Sequence, residues 1–136
     1  MSVTLYVSCK KSSLPTRDQW QAAITKAGFD LVLNPFEWKS QSGFLGAKYK
    51  GEKSGFECMA EDAKPVAKQL GMKLPDGNDV VVSFVFGSDV TESHAATAAS
   101  AVLAQCAQGA YFDEYSDELL DGATAINIAH DSIEAD

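Results

Sequence analysis

Three groups of residues in this chain have types and spacings that bear on chemistry. Cys9 is followed directly by Lys10 and Lys11. Neighbouring ammonium groups lower a thiol pKa, and the thiolate is the nucleophilic form. No base stands near it in the sequence, so the plainer reading is a cysteine at a strand end with two solvated lysines. Ser93-His94 offers a hydroxyl beside an imidazole. Adjacent residues on a helix point in different directions, so the two cannot form a dyad with each other. His94 would need a distant carboxylate. His130 is expected in solvent. The third group is acidic: Asp113, Glu114, Asp117, Glu118 and Asp121. Calcium wants several oxygen ligands, but the run lacks the Asp-x-Asp-x-Asp-Gly order of an EF-hand loop. A solvated acidic turn is the plainer reading, and a contact patch for a basic partner is the better functional one.

The remaining motifs point to no further chemistry. Gly43, Gly46, Gly51 and Gly55 are spread through a hairpin and form no strand-glycine-helix phosphate loop. Gly87-Ser88-Asp89 precedes a helix, whose free amides attract anions, but Asp89 is placed to occupy them itself. Cys9, Cys58 and Cys106 are an odd set without Cys-x-x-Cys spacing, which reads as reduced core thiols in a cytoplasmic protein. No metal site or cofactor is expected. Phe36, Trp38 and Phe44 are aromatics in and beside an irregular stretch. Such residues either anchor an interface or fold over a sheet edge.

The formal net charge is −8 over 136 residues. That disfavours nucleic acid and anionic membranes; solubility alone is the plainer reading of such a charge, and it also suits a basic protein partner. No apolar run approaches the ~20 residues that span a bilayer, and the N-terminus lacks the pattern of a signal peptide.

The elements that must position these residues follow from periodicity. Val80 to Phe86 is β-branched or aromatic except at Ser83, which predicts a central strand buried on both faces. After it, Asp89 caps an alanine-rich helix from Val90 to about Ala107, with an apolar line through Ala95, Ala98, Ala99, Val102, Leu103 and Cys106. Val3 to Val7 is a first strand, and Thr16 with Gln19 forms a capping box for a helix whose buried stripe is Trp20, Ala23, Ile24 and Ala27. Phe29, Leu31 and Leu33 alternate as a strand. Phe44 to Tyr49 and Ser54 to Met59 form a hairpin around Lys50 to Lys53. Asp62 is placed to cap a helix that runs to Leu70 and stops at Gly71. Ala110-Tyr111-Phe112 is a short strand, Leu119-Leu120 returns toward it, and Asp121 caps a last helix. The order β-α-β-β-β-α-β-α-β-α predicts a single α+β domain over residues 1–136, a mixed sheet with helices packed on it.

Leu14-Pro15-Thr16 with Trp20, Gly28-Phe29-Asp30-Leu31, Ser42-Gly43-Phe44, Gly55-Phe56-Glu57 and Gly109-Ala110-Tyr111-Phe112-Asp113 together resemble a group of small, uncharacterised bacterial proteins. The resemblance covers most of the chain. It concerns turns, caps and core, so it implies a fold and carries no activity.

These features lead to a non-catalytic acidic interaction domain, an inhibitor or immunity-like partner of a basic protein. Its contact residues would be Phe36, Trp38, Phe44, Asp113, Glu114, Asp117 and Glu118. The immunity comparison is one of size and acidity, not of motif. A small enzyme or ligand-binding domain with a cleft at Cys9 or His94 is the alternative. A structural homodimer on an exposed sheet edge is the third.

Overall fold

The computed structural model describes residues 2–116 and 118–135. Its strands are β1 (Val3–Cys9), β2 (Leu31–Leu33), β3 (Phe44–Tyr49), β4 (Glu52–Asp62), β5 (Val80–Phe86) and β6 (Ala110–Asp113). Its α-helices are α1 (Arg17–Lys26), α2 (Ala63–Leu70), α3 (Val90–Cys106) and α4 (Gly122–Ala135). The α+β class and the order of elements are as the sequence predicts. The strands form one sheet in the spatial order β2-β3-β4-β5-β1-β6. Every neighbouring pair is antiparallel, which corrects the expectation of a mixed sheet. Crossovers do bring strands back in the same direction, as with β1 and β2, or β5 and β6. Other strands always lie between them, so no parallel pair becomes adjacent.

Side chains alternate across a strand, so each strand has an inner and an outer set. The inner set includes Leu5, Val7, Leu31, Leu33, Leu45, Ala47, Tyr49, Phe56, Cys58, Val82 and Phe84, all buried in one cluster with α3. The small side chains of Ala95, Ala96, Ala98, Ala99, Ala101 and Ala104 let α3 approach its neighbours closely, and all are buried. Both α1 and α4 pack against α3, so this helix is enclosed by the sheet and two other helices. The Trp20 indole donates to the Ala99 carbonyl at 3.1 Å and joins α1 to α3 through a bond shielded from water. Cys106 is exposed rather than inward, because Ala107, four residues on from Leu103, takes the buried position.

The outer set is only partly covered. Over one half of this face, α2 buries Val81 with Ala63 and Val66, and Tyr6, Leu70 and Leu74 pack around them. Among the described residues no helix covers the other half. Val85 and Ser83 are therefore only partly buried, and the second face of β5 is covered at its start, not throughout.

Local signals explain the boundaries. Thr16 accepts from the Gln19 amide and Gln19 reaches back to the Thr16 amide, completing the capping box. Asp89 accepts from the Glu92 amide at 3.0 Å. Asp121 accepts from the Thr124 amide at 2.8 Å, which lowers its carboxyl pKa. Asp62 precedes α2 but makes no side-chain cap bond, while Gly71 ends that helix in the left-handed conformation. The β3–β4 turn is shorter than the expected four residues. Lys50 and Gly51 alone make it, at φ 51° and 80°, the sign a two-residue type I′ hairpin requires. Leu120 returns only as a single bridge to Tyr111.

At the start of α4, a Cβ added to Gly122 would collide with the backbone of Gln105 on α3. Gly122→Ala should therefore force the two helices apart and cost roughly 1–3 kcal/mol. A urea unfolding curve should show a lower midpoint at unchanged slope.

Candidate functional site

The chemical candidates lie far apart. Cys9 is fully buried at the end of β1, in a cluster with Val80 and Ala107 near the C-terminal end of α3. Burial pushes its thiol up to about 11, with Asp79 adding to the rise. This is opposite to the lowering that Lys10 and Lys11 would produce. His94 is half-buried at the other end of α3, its ring 5.6 Å from that of Tyr49. The thirteen residues from His94 to Ala107 span roughly 20 Å of helix, so Cys9 and His94 share no site. His130 is not in open solvent. It is half-buried, stacks on Phe29 at 4.1 Å and has Nε2 2.8 Å from the Ala27 carbonyl.

Phe36 and Trp38 extend the core on the helical side. Trp38 stacks on Trp20 at 5.5 Å and donates its indole N–H to the Pro15 carbonyl at 2.7 Å. Phe36 meets Trp20 and Trp38 edge-on. Both rings stay half-buried beside a hollow of about 520 Å³ that also borders Arg17 and Lys39. The Arg17 guanidinium is committed to the Leu33 carbonyl and to Asp18.

Phe44 stands on the opposite side of the sheet and is 58% exposed. Its ring lies over Gly55 and covers backbone that has no side chain of its own. The cross-strand register then places Phe44 beside Glu57, Glu57 beside Val85, and Val85 beside Thr4. Past Thr4, the Glu114 amide donates to the Thr4 carbonyl, and the Thr4 amide donates to the Glu114 carboxylate at 3.1 Å. One row thus crosses the outer face from Phe44 to Glu114, four strand spacings or about 19 Å.

The next row brings Met59 beside Ser83 and Ser83 beside Tyr6. The Tyr6 phenol is raised by burial first, then by the nearby carboxylates of Glu114 and Glu61. Between the rows lies a shallow hollow of about 250 Å³, lined by Ser42, Glu57, Met59, Ser83 and Val85. Toward the β3–β4 turn, Lys48 pairs with Lys53 on the same face. Val32, half-exposed on β2, continues the apolar surface past Lys48.

The structure therefore joins Phe44 and Glu114 on one open surface and sets Phe36 and Trp38 behind the sheet. Asp113 is half-buried and accepts from the Tyr115 amide at 2.8 Å, and Glu118 is exposed. Asp117 lies outside the described residues. Sequence reasoning missed Glu57, Met59 and Val85. Their signal was the period-two alternation of β4 and β5, which marks the residues turned away from Phe56, Cys58 and Phe84.

Among the described residues no cluster of His, Cys, Asp or Glu is arranged to hold a metal ion, and no helix is long and apolar enough to cross a membrane. No protein-family model, curated protein or solved structure matches the chain.

Two measurements probe the thiols. Cys106 is exposed while Cys9 and Cys58 are buried, so iodoacetamide at pH 8 should label Cys106 alone in the native protein and all three in urea, as read by peptide mass spectrometry. The folded chain also holds the Cys9 proton more tightly than the unfolded chain does. Its contribution to stability is complete below about pH 9 and is lost as pH rises toward about 11. Urea midpoints should fall across that window, and Cys9→Ala should make the fall shallower.

Proposed function

We propose that this chain is a non-catalytic acidic interaction domain that engages a basic protein, as an inhibitor or immunity-like partner does, in the cytoplasm. The observation that carries this reading is the row from Phe44 through Glu57 and Val85 to Glu114, where an exposed aromatic and carboxylates share an uncovered sheet face. Apolar surface flanked by charge is the usual make-up of a protein contact, with the apolar part supplying affinity and the charge steering approach. The net charge of −8 attracts a basic partner over a range of about one Debye length, ~8 Å at physiological salt.

The competing readings have less behind them. A nucleophile at Cys9 would sit inside the core as a protonated thiol. A homodimer on the same face would double the net negative charge, and that self-repulsion opposes it. A homodimer through a sheet edge would have little edge to use. β2 is three residues long, and Tyr111 of β6 already pairs with Leu120.

The test is a titration of ¹⁵N-labelled protein with a soluble lysine- and arginine-rich peptide. Chemical shifts should move at Thr4, Glu57, Val85 and Glu114. Affinity should fall as salt rises, and Glu57→Lys with Glu114→Lys should weaken it about tenfold. Shifts confined to the hollow beside Arg17 and Trp38, or the absence of any shift, would contradict the assignment.

A further inference from the structure

We propose that the open half of the outer sheet face seats one basic amphipathic α-helix of the partner, lying along β4. Its N-terminal end lies over Glu57 and Met59, within side-chain reach of Glu61, and its C-terminal end lies over Lys48 and Lys53. The inference rests on the interaction reading above and adds the form, length and direction of the bound element.

The form follows from what the sheet offers. An extended segment would need a free edge with several open amides and carbonyls. The β2 edge provides only three residues, and the β6 edge is four residues long with Tyr111 already bridged to Leu120. A face, by contrast, is available. In the Glu57 row it is three strand spacings wide from Phe44 to Thr4, about 14 Å, and in the Lys53 row β2, β3 and β4 carry it on from Val32 to Lys53, about 10 Å, while a helix with its side chains is about 10–12 Å across. From the Lys53 row to the Met59 row, six residues of β4 extend about 20 Å, which matches a helix of about 13 residues. The other half of this face already carries a helix, α2, over Val81 and Tyr6. A second helix beside it would complete the layer. The hollow bordered by Met59, Ser83 and Val85 would take one large side chain from it.

The direction follows from charge. Glu57 and Glu61 are exposed on β4 toward α2, whereas Lys48 and Lys53 face each other at the turn end. A helix carries partial positive charge at its N-terminus and partial negative charge at its C-terminus. Placed with its N-terminus toward the glutamates, both ends meet opposite charge. Lysine or arginine in its first two turns then meets Glu57 and Glu61. The same residues in its last turns would meet Lys48 and Lys53 and be repelled. The bound helix is therefore basic in its first half.

The experiment uses two 14-residue peptides, each with a leucine stripe and arginines in the first two turns. In one of them, two central positions are proline. Each is made with a nitroxide label at either end and titrated into the ¹⁵N-labelled full chain. The helical peptide should bind at least tenfold more tightly than the proline peptide. Its N-terminal label should broaden the amides of Glu57, Met59 and Glu61, and its C-terminal label those of Lys48 to Lys53. Glu57→Lys with Glu61→Lys should reduce its affinity about tenfold. Equal binding of the two peptides at this face, or the reverse pattern of broadening, would overturn the helix inference and leave the interaction reading standing. Binding of neither peptide at this face would overturn both. Concentration-dependent shifts of Phe44 and Val85 without peptide would give the face to a second copy of the chain and also overturn the inference.

Discussion

The fold depends on the closeness with which α3 lies between the sheet and its two companion helices. That closeness is set by alanine. Replacing Ala95, Ala98 or Ala99 with a larger apolar residue would keep the helix amphipathic but push it off Phe84, Leu45 and Val7, and well-packed cores tolerate such expansion poorly. Trp20 fixes the same layer from the other side. Its indole fills the space beside the Ala99 carbonyl and supports Trp38 and Phe36, so the loop after β2 is ordered by aromatic packing on α1. Gly122 completes the arrangement by letting α4 begin against the backbone of α3.

With the hydrophobic work concentrated on one face, the other is released from much of that duty. Half of it is closed by the short helix α2, and the remainder carries an alternation of Phe44, Glu57, Val85 and Thr4 that contributes little to burial. Glycine at 46 and 55, directly opposite each other, leaves the middle of the β3–β4 pair without outer side chains. Phe44 folds over one of them and the Asn34 amide over the other. A thin, half-apolar surface of this kind is poor material for a core and suitable material for a contact.

Much of this architecture was legible in the sequence because its signals are local. The capping box at Thr16, the aspartates at 89 and 121, the stop at Gly71 and the β-branched run of β5 each fix an element through short-range physics. The antiparallel character of every strand pair was not legible, since it depends on which strand inserts between β5 and β6, a matter of packing over the whole chain. The site was read in fragments. Phe44 and Glu114 were recognisable as exposed types, but they are seventy residues apart, and only the register through β4, β5 and β1 makes them neighbours. Phe36 and Trp38 have the same composition signal as Phe44 and the opposite environment, because Trp20 gives them something to stack on. Cys106 shows the same limit at shorter range. A helical period placed it inward, and a shift of one residue along the stripe put Ala107 there instead.

The two sheet faces are unequally covered, and hydroxyl-radical footprinting of the dilute, purified protein measures that directly. Phe44 and Met59 should be oxidised readily in the native state, while Trp20, Phe56 and Phe84 should be modified only after unfolding. Protection of Phe44 and Met59 to the level of Phe56 would mean that the outer face is covered in the protein alone, and the assignment of that face to a partner would be wrong.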